Sequence, residues 1–218
     1  MKKTLSILIF ILCVALASFL LCFGPSRAST NNSEHNTFYE VGVMEKEYGL
    51  TSFSNEPEDY IFYGDTIRVS RQQYELSVAI QEKLGMHGEE FQESLAQEQL
   101  NTEAVYQMAV KYGFTASAEE LEAAKAELIQ TLLDEETGGR EEALAYLEGL
   151  GLTPEEYYDY KAPQLERNIC SSKYQESVYQ AYQLEHTVDG TVNRQDWLEY
   201  WNTLVKNYIA NDHVRDLR

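Results

Sequence analysis

Three helix-start signals, set apart along one chain, constrain the fold more than any other feature. Ser70-Arg71-Gln72-Gln73, Ser117-Ala118-Glu119-Glu120 and Thr153-Pro154-Glu155-Glu156 each place a hydroxyl side chain three residues before a Glu or Gln. In such a box the hydroxyl accepts an unpaired N–H of the first turn, and the Glu or Gln side chain accepts the N–H of the cap residue. Proline at the first helical position of the third box fits as well, because its missing N–H would have had no partner there. A chain punctuated in this way is committed to helices.

Stops complete the pattern. A helix is predicted over residues 71–84, ended by Gly85, and a second over 89–112, ended by Gly113. In the second, Val105, Met108, Ala109 and Tyr112 share a face by the i, i+3, i+4, i+7 rule. Behind Ser117, the residues Leu121, Ala124, Leu128, Ile129 and Leu132 make an apolar stripe that runs towards Gly138-Gly139. A short helix over 141–150 closes at Gly151, and a long one runs from Thr153 to about 185 with Leu165, Ile169, Val178 and Tyr182 on its buried side. Pro163 lies inside it and predicts a kink or a break. A final helix over 195–210 carries Trp197, Trp201, Leu204, Val205 and Tyr208 on one face. Residues 188–192 read as a turn. The one β signal is Tyr60-Ile61-Phe62-Tyr63-Gly64-Asp65-Thr66-Ile67-Arg68-Val69, two β-prone runs around a Gly-Asp turn. The expected fold is mostly α, with a short hairpin before the first helix.

The chain starts differently. Lys2 and Lys3 precede a run from Thr4 to Phe23 with no charged residue, and Ser26-Arg27-Ala28 offers a cleavage site. Residues 1–28 therefore read as a signal peptide cut after Ala28. The run is also long enough to span a bilayer, so an uncleaved anchor remains open. Lipidation at Cys13 or Cys22 is disfavoured because neither follows a small residue. Residues 29–58 are expected to be a flexible tether and loose lead-in, and 59–218 one helical domain.

Lys2, Lys3 and Arg27 belong to the leader, which deepens an acid excess already at 36 Asp and Glu against 17 Lys and Arg. Such a surface repels nucleic acid and anionic lipid. Past the leader only Cys170 is left, so no internal disulfide can form, and a buried, inert thiol is expected. His35, His87, His186 and His213 have no metal-ligand spacing. Asp189-Gly190-Thr191-Val192-Asn193 lacks the calcium-loop pattern. No nucleophile elbow, zinc-helix motif or phosphate loop occurs. The pairs Glu135-Glu136, Glu141-Glu142 and Glu155-Glu156 sit at helix ends, where solvation and the helix dipole account for them. The expectation is no catalytic residue, no metal and no cofactor.

Tyrosine is the unusual component, at 16 residues. Tyr157, Tyr158 and Tyr160 cannot all face one core at 3.6 residues per turn. Tyr174, Tyr179, Tyr182, Tyr200 and Tyr208 form further clusters. Tyrosine joins apolar area to a polar tip and suits wet, adaptable contacts.

Taken in order, three segments resemble a known family. They are Tyr63-Gly64-Asp65-Thr66-Ile67-Arg68-Val69-Ser70, Ala109-Val110-Lys111-Tyr112-Gly113-Phe114-Thr115-Ala116-Ser117 with Glu119-Glu120-Leu121, and Gly151-Leu152-Thr153-Pro154-Glu155-Glu156-Tyr157. Their order and spacing behind an export segment are similar to the N-terminal chaperone domain of SurA/PrsA-type foldases over residues 60–185. The helix at Trp197–Ile209 is similar to the C-terminal helix that completes that core. The resemblance implies extracytoplasmic binding of unfolded, newly exported polypeptides. Many members insert a parvulin-type prolyl isomerase before the last helix. Only residues 186–193 lie there in this chain, too few for a domain, so isomerase activity is not carried over. Pro163 departs from the pattern too.

The resulting expectation is an exported, non-catalytic, chaperone-like domain, secreted or held on the outer face of the membrane by its first segment. Tyr106, Tyr112, Phe114, Tyr157, Tyr158 and Tyr160 are the expected client contacts. The rival reading is a membrane-tethered interaction protein or complex subunit with one dedicated partner.

Overall fold

The computed structural model describes residues 31–48, 56–134, 138–187 and 191–218. The leader and most of the turn at 188–192 lie outside the described residues. Among those described, no helix is long and apolar enough to cross a membrane.

The chain is mostly helical with a small antiparallel sheet. The helices are α1 (Asn31–Tyr48), α2 (Arg71–Lys83), α3 (Glu89–Lys111), α4 (Ala118–Leu133), α5 (Arg140–Leu150), α6 (Pro154–Tyr160), α7 (Ala162–His186) and α8 (Arg194–Asn211). The strands are β1 (Tyr60–Tyr63), β2 (Arg68–Ser70) and β3 (Arg215–Asp216). They divide between two compact units. One unit holds α1, α4, α5, α6 and the first part of α7; the other holds the sheet, α2, α3, the rest of α7 and α8.

The start signals act as read. Ser117 and Thr153 each form a full capping box with Glu120 and Glu156. The Ser70 hydroxyl accepts the N–H of Gln73 at the start of α2. Pro163 divides the predicted long helix: α6 ends at Tyr160, Lys161 is its cap, and α7 starts at Ala162. The stop at Gly138-Gly139 is displaced. The helix ends earlier, at Leu133, and Gly139 caps the start of α5 instead.

Three expectations need correction. Residues 31–48 are not a tether; they form α1, and Phe38, Val41 and Glu45 are buried. The polar residues of its first turn disguised the i, i+3, i+4 spacing further on. The hairpin is therefore not ahead of the first helix. It also gains a third strand, β3, so that the order is β2-β1-β3, a pairing two residues long that no sequence period could reveal. Finally, of the face Val105, Met108, Ala109 and Tyr112 on α3, Met108 and Ala109 are buried, together with Ala96, Leu100 and Ala104, while Tyr112 is exposed. Small alanines on that side admit close neighbours, and α3 packs against α2, β2 and α8.

In the first unit α1 and α5 touch through glycines. A Cβ on Gly149 would lie 2.0 Å from the Tyr39 carbonyl oxygen, and one on Gly42 would lie 2.1 Å from that of Tyr146. Ala145, Leu147, Leu150, Tyr158, Leu165, Ile169 and Cys170 are also buried in this unit. The second unit has Ile61, Ile67, Val69, Leu76, Met108 and Val205 in its core.

Candidate functional site

The most unusual surface of the second unit is a row of aromatic rings. It starts where α3 ends. Tyr112 stacks on Tyr174 with ring centres 5.4 Å apart and planes 7° from parallel, and Phe114 meets the same ring edge-on at 5.6 Å. Tyr174 in turn lies 6.1 Å from Trp201, and Trp201 lies 5.8 Å from Trp197. Trp197 gathers Tyr179 at 4.9 Å, Tyr182 at 5.3 Å and Tyr200 at 6.0 Å. Tyr182 closes the row on the His186 imidazole, stacked at 4.1 Å.

Helix periodicity builds this row. Tyr174, Val178, Tyr182 and His186 recur every four residues on α7, so they share a face. Trp197, Tyr200, Trp201, Leu204 and Tyr208 share a face of α8 by the i, i+3, i+4, i+7, i+11 spacing. The Asn193 side chain caps α8 by accepting the N–H of Gln195, which fixes where its first aromatic turn begins.

The row grades from interior to solvent. Tyr174 and Tyr182 are buried, Trp197, Trp201, Tyr179 and Phe114 are half-buried, and Tyr112 and Tyr200 are 64% and 43% exposed. Burial, followed by the neighbouring phenols of Tyr112, Tyr200 and Tyr208, pushes the Tyr174 hydroxyl up to about 12. Burial likewise raises Tyr182, with Asp196 and Tyr200 adding to it. These phenols stay neutral at physiological pH, and the surface offers π faces beside polar tips. Lys111 places its ammonium 5.4 Å from the Tyr208 ring centre.

The first unit holds a different cluster. The buried Glu45 carboxylate accepts a hydrogen bond from the Tyr146 hydroxyl and another from Lys161 Nζ at 2.7 Å. The Lys161 ammonium also lies over Tyr157 and Tyr160, 5.7 and 5.1 Å from their ring centres. Tyr146 meets Tyr157 edge-on at 5.9 Å, and Tyr157 meets Tyr158 at 5.2 Å. Burial drives the Tyr146 and Tyr157 hydroxyls far above the ordinary phenol range, with the Glu45 charge reinforcing both. Glu45, Tyr146 and Lys161 satisfy one another, which is the behaviour of a structural network.

The predicted contact residues fare unequally. Tyr112 and Phe114 join one row through Tyr174. Tyr106 is half-buried on α3. Tyr158 is 6% exposed and belongs to the core of its unit, so it is not a client contact. Tyr157 is half-buried beside the Glu45 cluster, with the Lys161 ammonium over its ring. Tyr160 is exposed at the end of α6. The partly exposed Trp197, Trp201, Tyr179 and Tyr200 of the row lie outside the predicted contacts, although the three- and four-residue spacing of the α8 rings was an available signal. Cys170 is buried. Among the described residues, no group of three or more His, Cys, Asp or Glu side chains is placed to hold a metal ion. Comparison with known proteins finds no matching family model, no similar curated protein and no similar solved structure.

Proposed function

We propose that this chain is an exported, chaperone-like protein that binds unfolded or newly translocated polypeptides without catalysis. The observation that carries the reading is the graded aromatic row, anchored in the core at Tyr174 and Tyr182 and open to solvent at Tyr112 and Tyr200. A buried anchor keeps the exposed rings in place, so little side-chain entropy is lost when a client covers them. Tyrosine and tryptophan offer broad apolar contact to any side chain, and their polar tips tolerate water at the same surface. Such a surface suits many weak clients more than one shaped ligand. The export segment read at residues 1–28 supports the setting, since unfolded chains emerge on the far side of the membrane.

The test is aggregation of a chemically denatured exported protein on dilution. The protein at several-fold molar excess should suppress light scattering. The double variant Tyr112→Ala/Tyr200→Ala should lose most of that suppression while keeping its helical circular dichroism. No suppression by the parent protein, or full suppression by the variant, would sink the proposal.

A further inference from the structure

A second feature of the same unit concerns charge. Across the sheet, Tyr63 of β1 pairs with Arg68 of β2 on one side and with Arg215 of β3 on the other. Residues directly opposite in neighbouring strands project from the same face. The three side chains therefore stand in one row, Arg–Tyr–Arg. Both guanidiniums fold onto the central ring, the Arg68 carbon 4.9 Å and the Arg215 carbon 5.4 Å from its centre.

Among the described residues, no carboxylate pairs with either of these two charges. The three acidic groups nearest in sequence are engaged elsewhere. Asp65 faces the His213 ring nitrogen at 2.8 Å, Asp212 holds the backbone of the hairpin turn, and Asp216 pairs with Arg218 at 2.6 Å. Arg68 Nε is buried with no hydrogen-bond partner, so packing on Tyr63 fixes that guanidinium and leaves its bonding capacity unspent. Two like charges gathered at one ring, in a chain with 36 acidic residues, form a cationic row suited to an oxyanion.

We propose that Tyr63, Arg68 and Arg215 bind a carboxylate group of a polypeptide. The two guanidiniums supply charged N–H donors, and the Tyr63 hydroxyl is a further donor of the same row. The net charge of −19 selects the bearer: nucleic acid or an anionic bilayer is repelled by the whole surface, whereas a single carboxylate on an otherwise uncharged segment is not. Arg215 lies on the exposed edge strand β3, which an extended segment can approach. The site is separate from the aromatic row and does not depend on it.

The test is fluorescence anisotropy with the full-length chain and three labelled short peptides. One is uncharged with a free C-terminal carboxylate. The second is the same peptide as its C-terminal amide. The third is amidated with one internal glutamate. At least one carboxylate peptide should bind ~10-fold more tightly than the plain amide, as expected of a charge-assisted pair. Binding of the first alone assigns the site to chain ends, and binding of the third alone to acidic side chains. Arg68→Gln/Arg215→Gln should abolish the difference. Should that variant lose its circular dichroism, Arg215→Gln, on the exposed strand, carries the test alone. Equal binding of the amide, undiminished binding by the folded variant, or preference for inorganic phosphate as competitor would overturn the proposal.

Discussion

Replacing Asp212 by alanine should unfold the second unit at distinctly lower denaturant, and the size of the shift follows from the bonds lost. Asp212 is 6% exposed at the end of α8. Its carboxylate accepts from Thr66 N–H at 3.0 Å, from the Thr66 hydroxyl at 2.6 Å and from Ile67 N–H at 2.8 Å. It thereby ties the C-terminus of the last helix to the Gly64-Asp65 turn. Alanine leaves these donors without an acceptor. Each buried donor stranded near a lost charge costs about 1–3 kcal/mol, less where water can enter. The hydroxyl can turn to solvent, so the two backbone groups dominate, and a loss of about 3–4 kcal/mol is expected. That is a large share of the roughly 5–15 kcal/mol that holds a domain together. With a urea slope of roughly 1–3 kcal/mol/M the midpoint should fall by about 2 M. Tryptophan fluorescence is the right probe, because Trp197 and Trp201 are the only tryptophans and both lie in this unit. A shift below about 0.3 M would refute the reasoning. A cycle with Gly64 sharpens it. A Cβ at Gly64 would sit 2.2 Å from Asp212 Oδ2 and 2.8 Å from its carbonyl oxygen. Gly64→Ala should therefore be costly in the parent protein. It should be less so beside Asp212→Ala, though not free, since the carbonyl remains.

Gly149→Ala should destabilise the first unit by about 3 kcal/mol or more, because the contact at 2.0 Å is with the backbone of α1 and no side chain can yield; hydrogen exchange of α1 amides reads this out. Glu45→Ala should cost about 3 kcal/mol in the same unit, since Lys161 and the Tyr146 hydroxyl lose a buried partner, and near-ultraviolet dichroism of the tyrosines should weaken with it. Alkali should loosen the aromatic row. The Tyr174 hydroxyl is held up near 12 when folded, against about 10 for a free phenol, so its contribution is intact below about pH 10 and is lost as pH rises towards 12. Tyrosinate absorbance should lag behind that of free tyrosine over this window; coincident titration would contradict the burial of Tyr174.

Local chemistry made much of this fold legible. The boxes at Ser117 and Thr153, the break at Pro163 and the hairpin at Gly64-Asp65 depend on interactions within a few residues, which a linear sequence contains in full. Helical spacing likewise marked the α8 stripe. What spacing could not reveal is which stripe finds a partner. On α3, apolar residues occur on two sides, and only packing against α2, β2 and α8 chose the alanine side and left Tyr112 to solvent. On α1, a polar first turn concealed a helix whose packing depends on Gly42 and Gly149 facing another backbone. Tyr157, Tyr158 and Tyr160 look equivalent along the chain, yet one is buried, one is half-buried beside Lys161 and one is exposed. The Arg–Tyr–Arg row is the extreme case, since its members come from three strands and the last is 147 positions beyond the second by residue number. The sequence by itself determined a helical, acidic chain with its starts, stops and one turn. The tertiary structure alone decided which aromatic rings meet and which charges are left unanswered, because burial and pairing arise between segments that the chain holds far apart.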